Sequence, residues 1–387
     1  MSTSLKISFL PLTDCAPLVV AVERGYFKDA GLDVTLERTS SWTASREKLE
    51  SGACQASHLL FGLPFATALG HFGPKAKPLV IPWILSRNGQ GITLAAKYKG
   101  RVAGDAKPLA KEIFQRRDTG RPAVFAMTVA PGTHAMWLRN WLATGGINPD
   151  HDVALITIPP PQMVANLRQG QLDGFSVGEP WNAVAAAENL GFTAITSQKI
   201  WPDHPEKIVA FTASFAAAQP ATVTAVLSAL HLAGAWCDER ANHAELAALL
   251  SRPSYVGAPV EQILPRLSGT YDLGDGRNVT DDANAVNFSR RDANNPQSRY
   301  ARWWLSQMRR WAMTVGTPDY SGITAKVMRP DLYRAALAQH KVPAGDENLA
   351  VEKFFDGTLF DPAEPEKFAQ AHPIHTARFP SEIALAR

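Results

Sequence analysis

The chain has 387 residues, 45% hydrophobic and 19% charged. That is enough apolar material for two or three packed lobes, and too little charge with too many aromatics for intrinsic disorder. Lysine and arginine number 39 against 36 acids, a net of +3, which leaves no electrostatic case for direct nucleic-acid binding.

The first fifteen residues lack the basic segment and long apolar core of a secretory signal; residues 6–12 read as a first strand instead. The best apolar run, 59–69, is interrupted by Gly62 and Pro64, so no membrane insertion is expected. Cys15, Cys54 and Cys237 are too widely spaced for a CxxC motif or a disulfide framework. These features together predict a cytoplasmic protein.

A strand at 6–10, a helix at 16–24 stopped by Gly25, and a strand at 33–37 form a β-α-β unit, which calls for a parallel sheet. Ser40-Ser41-Trp42 precedes a helix at 43–50, followed by a strand at 55–60. Strands at 79–87 and 92–98 flank Asn88-Gly89-Gln90-Gly91, which reads as a tight turn. The polar, basic stretch 99–121 suits a helix and loop at a lobe boundary. A strand at 123–129 then runs through Ala130-Pro131-Gly132-Thr133-His134 into a helix, where Trp137, Leu138, Trp141 and Leu142 recur at helical spacing up to Gly145-Gly146. His134 therefore falls in a first helical turn, where free N–H groups and the positive end of the helix dipole favour an anion. A strand at 153–158, a helix at 162–169 and a strand at 172–177 follow. Gly178-Glu179-Pro180-Trp181 leads into an alanine-rich helix, and a strand at 208–212 returns the chain to the first lobe. Beyond Pro220 the pattern is mostly helical, with a loop-rich insert at 274–296. The expected architecture is α/β and two-lobed. Lobe I comprises 1–98 and 213–387, lobe II comprises 99–212, and the ligand sits between them at the carboxyl ends of the strands.

A set of short motifs, in order, resembles one family. They are Phe9-Leu10-Pro11-Leu12-Thr13-Asp14 with Ala16-Pro17-Leu18, Ser41-Trp42 through Arg46, and Gly89-Gln90-Gly91. Pro131-Gly132-Thr133-His134, Pro159 to Met163, and Val177-Gly178-Glu179-Pro180-Trp181 complete the set. Singly none is specific; together they resemble the nitrate/bicarbonate-binding proteins of NrtA and CmpA type, which have a type II periplasmic-binding-protein-like fold. The resemblance implies an oxyanion held by Trp42, Ala44, Gln90, His134, Pro160, Val177 and Lys207, with Ala44 departing from the glycine-like residue usual there. An indole, a carboxamide, an imidazole and an ammonium make a donor-rich ring around a flat anion, and Lys207 supplies its countercharge. In the bicarbonate branch the lysine and histidine positions hold an acid and an amide, assisted by a metal ion. Lys207 and His134 thus imply nitrate or nitrite, with no metal or cofactor.

Taken alone, each residue has a plainer reading. Trp42 would be a core aromatic, Gln90 a turn residue, His134 a solvated helix-start residue and Lys207 a surface lysine. Gly174-Phe175-Ser176-Val177-Gly178 matches the pattern of a hydrolase nucleophile elbow. However, Ser176 falls within a strand rather than on the turn such a serine needs, so no enzyme is expected. Asp272, Asp275, Asp281 and Asp282 lack calcium-loop spacing, and His372 and His375 lack further ligands nearby. Tyr300, Trp304, Met308 and Trp311 form a helical stripe, expected to pack on the first lobe, with partner docking as the lesser reading.

With no export signal visible, the resemblance narrows to cytoplasmic NasS-type nitrate/nitrite sensors. Such a sensor, as the resemblance implies, sequesters a NasT-type RNA-binding antiterminator and releases it when the anion binds. The alternative is the substrate-binding component of an ABC transporter for nitrate or, second to it, bicarbonate.

Overall fold

The computed structural model describes residues 2–377. Strands β1 (Thr3–Phe9), β2 (Leu32–Arg38), β3 (Ala56–Leu60) and β4 (Leu79–Asn88) are followed by β5 (Gln90–Ala95), β6 (Ala123–Met127), β7 (Val153–Thr157), β8 (Gly174–Gly178), β9 (Gly191–Thr196) and β10 (Pro205–Thr212). They form two mixed sheets. In the first the order is β4-β10-β3-β1-β2, with the short strand Val286–Asn287 on the β4 edge; in the second it is β7-β6-β8-β5-β9. β1 lies parallel to β2 and β3, while β10 runs antiparallel between β3 and β4. β6 lies parallel to β7 and β8, and β5 runs antiparallel between β8 and β9. This is the expected α/β two-lobed, periplasmic-binding-protein-like fold.

The strand pairing moves the lobe boundaries. Residues 88–91 do not join a hairpin, because β4 and β5 belong to different sheets. Asn88 (φ 59°) and Gly89 (φ 77°) are both left-handed and redirect the chain at that point. The second crossing lies between Thr196 and Pro205. Sequence reading placed 90–98 in lobe I and 205–212 in lobe II; the sheets place β5 with lobe II and β10 with lobe I. Strand β9 was not expected at all. All six of its residues are buried, so it carries no alternation to separate it from the helix before it.

The C-terminal helices complete the first lobe and then reach across to the second. Helix Pro220–Asp238 is long and apolar enough for a membrane span by composition. It packs instead against helices Ala16–Glu23 and Pro330–Ala338. In helix Ser298–Arg310, Tyr300, Trp304 and Met308 are buried, as is Trp311 just beyond its end. Trp304 meets Phe61 of the first lobe at 5.4 Å between ring centroids and Trp137 of the second at 5.7 Å, and Trp303 lies 5.2 Å from Trp137. The aromatic stripe therefore packs on both lobes at once and is not a docking face.

Gly62 sits where these parts meet. A methyl group there would collide with the Pro131 carbonyl oxygen and with the Trp304 indole, whose Nε1 donates to that same carbonyl at 3.4 Å. Gly62→Ala is expected to lower the unfolding free energy by about 1–3 kcal/mol, the usual cost of overpacking, measured as a reduced urea midpoint at unchanged slope.

Candidate functional site

The segments that leave the carboxyl ends of β1, β2, β6, β7 and β8 converge between the lobes. Trp42 opens helix Trp42–Ser51, whose N-cap Ser41 accepts from the Ala44 amide at 3.1 Å. The cap holds the indole inward, where it is 1% exposed. It meets His58 edge-on at 5.2 Å and the His134 ring at 6.4 Å. Its Nε1–H has no hydrogen-bond partner within the protein. The same cap occupies the Ala44 N–H, so that amide is not free to hold a ligand.

His134 is the second residue of helix Thr133–Thr144 and is wholly buried. Its Nδ1 lies 2.7 Å from Thr128 Oγ1, and its Nε2 has no partner within the protein. Burial, reinforced by the Lys207 charge, holds the imidazole well below its ordinary pKa. It is neutral, and when the Thr128 hydroxyl donates to Nδ1 the proton resides on Nε2. Gln90, the first residue of β5, is buried with Oε1 unpartnered and Nε2 3.5 Å from Thr133 Oγ1. The Thr133 hydroxyl gives its one proton to Glu206 and so accepts from Gln90 Nε2, which leaves the second N–H of that amide to donate elsewhere. Val177 is buried in β8, where its carbonyl accepts from Asn182 Nδ2 at 2.9 Å. Pro160 opens the helix Pro160–Arg168 and is buried. A methyl group at Gly178 would lie 3.3 Å from Asp14 Oδ2 and 3.7 Å from His134 Nε2, which shows how closely the two lobes approach.

Lys207 is not at the surface. It lies in β10 at zero exposure, and its Nζ is 2.8 Å from Asp14 Oδ2 and 2.7 Å from Glu206 Oε1. The register of β10 against β4 shifts on both sides of Lys207. This irregularity lets consecutive residues, which ordinarily face opposite ways, bring their charged ends together. Lys207 Nζ also stands 5.4 Å from the centre of the Trp42 ring. Glu206 Oε1 accepts from the Thr133 hydroxyl as well, and Oε2 lies 3.4 Å from Trp137 Nε1. Asp14 Oδ1 is 3.1 Å from His58 Nε2. Because His58 Nδ1 accepts from the Leu10 amide at 3.4 Å, its proton is on Nε2, facing the carboxylate. Neither contact of Asp14 has hydrogen-bond angles; that with Lys207 is charge pairing, and that with the neutral His58 sets an N–H dipole against the carboxylate.

Burial is the largest influence on each of these groups. It would raise Asp14, but Lys207 and His58 outweigh it and hold that carboxyl below its usual range. Burial would lower Lys207, but the two acids keep its pKa above the ordinary value. Glu206 is pushed up to about 7, with Lys207 and Thr133 only partly compensating. The arrangement is thus a fixed ammonium between two acids, beside two N–H groups that the protein itself does not satisfy. It can hold a small anion by hydrogen bonds. Among the described residues no cluster of His, Cys, Asp or Glu could hold a metal ion.

The structure brings Trp42, Gln90, His134 and Lys207 together and places Val177 and Pro160 on the adjoining second-lobe elements. Asp14, His58, Thr128, Thr133 and Glu206 were missed as site residues. Asp14 lay inside a motif already noted and Glu206 beside Lys207, but nothing in the sequence signals their burial. A cavity of about 340 Å³, lined by Arg38, Thr39 and Ser40 from one lobe and by Pro159, Pro161 and Gln162 from the other, opens at the cleft. A larger one of about 620 Å³ lies elsewhere, between Gly104, Lys199, Arg310 and His372, and contains none of these residues. Ser176 is buried within β8 and stands on no elbow.

The nitrate/nitrite binding protein NrtA of Synechococcus elongatus is 36% identical over 375 residues, covering 94% of this chain and 84% of that one. The bicarbonate-binding protein CmpA of the same species is 30% identical over 393 residues, covering 97% and 87%. The crystal structure of the periplasmic nitrate-binding protein NrtA of Synechocystis superposes with a TM-score of 0.90 at 34% identity, over 96% of this chain and 99% of that one. These relatives are binding proteins, not enzymes. The match to a periplasmic protein over nearly the whole chain overturns the expectation of a cytoplasmic location, which rested only on the look of the first residues. The model of the NMT1-like family matches residues 1–251, and with full-length relatives above 30% identity the chain belongs to the NMT1-like family, among the NrtA- and CmpA-related binding proteins.

Proposed function

We propose that this protein is the solute-capture component of an ABC-type importer and that its ligand is nitrate or nitrite. The observation that carries this is the pair of buried, unsatisfied N–H groups, Trp42 Nε1 and His134 Nε2. They come from different lobes, with the Lys207 ammonium alongside. A buried donor without a partner costs on the order of 1–3 kcal/mol, a cost that an anion removes. Trp42, His134 and the second N–H of the Gln90 amide would each donate to one region, and Lys207, hydrogen-bonded to Glu206 and ion-paired with Asp14, has a further N–H to offer. Val177 and Pro160 would close the second-lobe wall, and Ala44 would contribute only its van der Waals surface.

Nitrate and nitrite accept hydrogen bonds and donate none, which suits a wall of donors. Bicarbonate carries an O–H that needs an acceptor. Of the nearest carboxylates, Asp14 faces Lys207 and His58, and Glu206 Oε1 is taken by Lys207 and Thr133, while Glu206 Oε2 has only a long contact from Trp137. The donors of Trp42, His134 and Lys207 favour an anion that only accepts, and so nitrate over bicarbonate. The names of the NrtA relatives support the same choice.

The antiterminator-controlling sensor expected from the sequence required a cytoplasmic protein, and that premise has fallen. No feature of the site or the comparisons supports a NasT-type partner, and the importer reading takes its place.

Titration calorimetry with potassium nitrate tests the assignment. Trp42→Phe keeps the ring and removes one charge-assisted hydrogen bond, and should weaken binding about 10- to 100-fold; His134→Ala should weaken it at least as much. Wild-type affinity in both variants would dismiss the site. A wild-type protein that gives heat with bicarbonate but none with nitrate or nitrite would dismiss the ligand.

A further inference from the structure

The reading of the site as an anion pocket leaves a charge problem. Asp14, Glu206 and Lys207 are all buried at 0–2% exposure and bonded to one another. With both acids ionised the trio carries one net negative charge before any ligand enters. A nitrate ion would bring the total to two negatives in a dry site, where like charges cannot be screened by water.

We propose that Glu206 is a further determinant of anion binding, taking up one proton as the anion enters, so that the protein captures anion and proton together. This rests on the nitrate/nitrite reading above and extends it. Of the two acids, Asp14 is the one fixed as a carboxylate, since Lys207 and the His58 Nε2–H both face it. Glu206 is the adjustable one. Its Oε1 is taken by Lys207 Nζ and the Thr133 hydroxyl, while Oε2 has only a long contact of 3.4 Å from Trp137 Nε1.

The groups that face Glu206 are few and can be named. Lys207 and His204, 3.8 Å from Oε2, come from its own strand and the turn before it. Asp14 comes from the segment after β1, and Thr133 and Trp137 come from the second-lobe helix. His204 is kept neutral chiefly by burial, its pKa lowered to about 3. His134 and His58 are likewise held below their ordinary values by burial. Glu206, raised to about 7 chiefly by burial, is the group there already near its midpoint at neutral pH. A new negative charge beside it favours its protonated form further. Nitrate itself has no proton to exchange in this range, so any uptake belongs to the protein.

The sign follows from linkage. Where the free protein has Glu206 ionised and the complex has it protonated, binding consumes a proton, and affinity falls as pH rises. The nitrate Kd should be nearly constant below pH 7 and then rise towards a limit of tenfold per pH unit. Calorimetry in two buffers of different ionisation enthalpy at pH 8 should show close to one proton taken up per nitrate. Glu206→Gln, a neutral mimic of the protonated acid, should bind with a pH-independent Kd and no proton uptake. Wild-type nitrate binding without proton uptake or pH dependence overturns the proposal and leaves the anion reading standing. Continued uptake in Glu206→Gln also overturns it, by moving the acceptor to a histidine. Absence of nitrate binding at every pH overturns the anion reading and this inference with it.

Discussion

Lys207, held without solvent contact between Asp14 and Glu206, is the constraint on which the rest of the site depends. Breaking a buried charge pair on one side costs about 3–5 kcal/mol, because the partner is left charged and dry. The strands and loops that carry these groups are therefore tightly fixed in relation to one another. Asp14 follows β1, His58 lies in β3, and Glu206 and Lys207 lie in β10, so the cluster ties together three neighbouring strands of the first sheet. Through Thr133 and Trp137, Glu206 also reaches the second lobe. The charge that attracts an anion and the contacts that hold the lobes together are one network.

Behind that network the aromatic residues do the packing. Trp137 of the second lobe, Trp201 near the second crossing, and Trp303 and Trp304 of the C-terminal helix lie at 5.0–6.2 Å from one another in five ring pairs. Large rings exclude water from the rear of the site, which strengthens every polar interaction in front of them and raises the cost of leaving one unmade. The same dryness explains why His134 and His204 stay neutral and why Glu206 holds its proton near neutrality. The C-terminal helix thus belongs to the electrostatics of the site, although it touches none of the proposed ligand donors.

The location shows how far a residue pattern can mislead. The expectation of a cytoplasmic location rested on the look of the first residues, and from it followed a sensor, a cytoplasmic partner and a regulatory mechanism. The match to the periplasmic NrtA of Synechocystis over 96% of this chain contradicts that expectation, and the rest falls with it. The proposed anion chemistry does not depend on the start of the chain, since it is argued from Trp42, Gln90, His134 and Lys207.

The sequence by itself determined the α/β alternation, the helix carrying His134, and the ordered motifs that single out the family. These are local signals, set by caps, turns and apolar periodicity within a few residues. It also brought Lys207 into view, but only by resemblance, since a lysine following Pro205-Glu206 looks exposed. Tertiary structure alone decided that β10 begins early enough to bury Lys207, that a register shift turns Glu206 toward it, and that Asp14 and His58 stand opposite. It decided too that residues 88–91 separate two sheets instead of joining a hairpin, and that the Ala44 amide is spent on its own helix cap. Burial and strand partnership are properties of residues far apart in the chain. The pKa of Glu206 and the unmet donors of Trp42 and His134 arise from that burial, so they exist only once the two lobes have met.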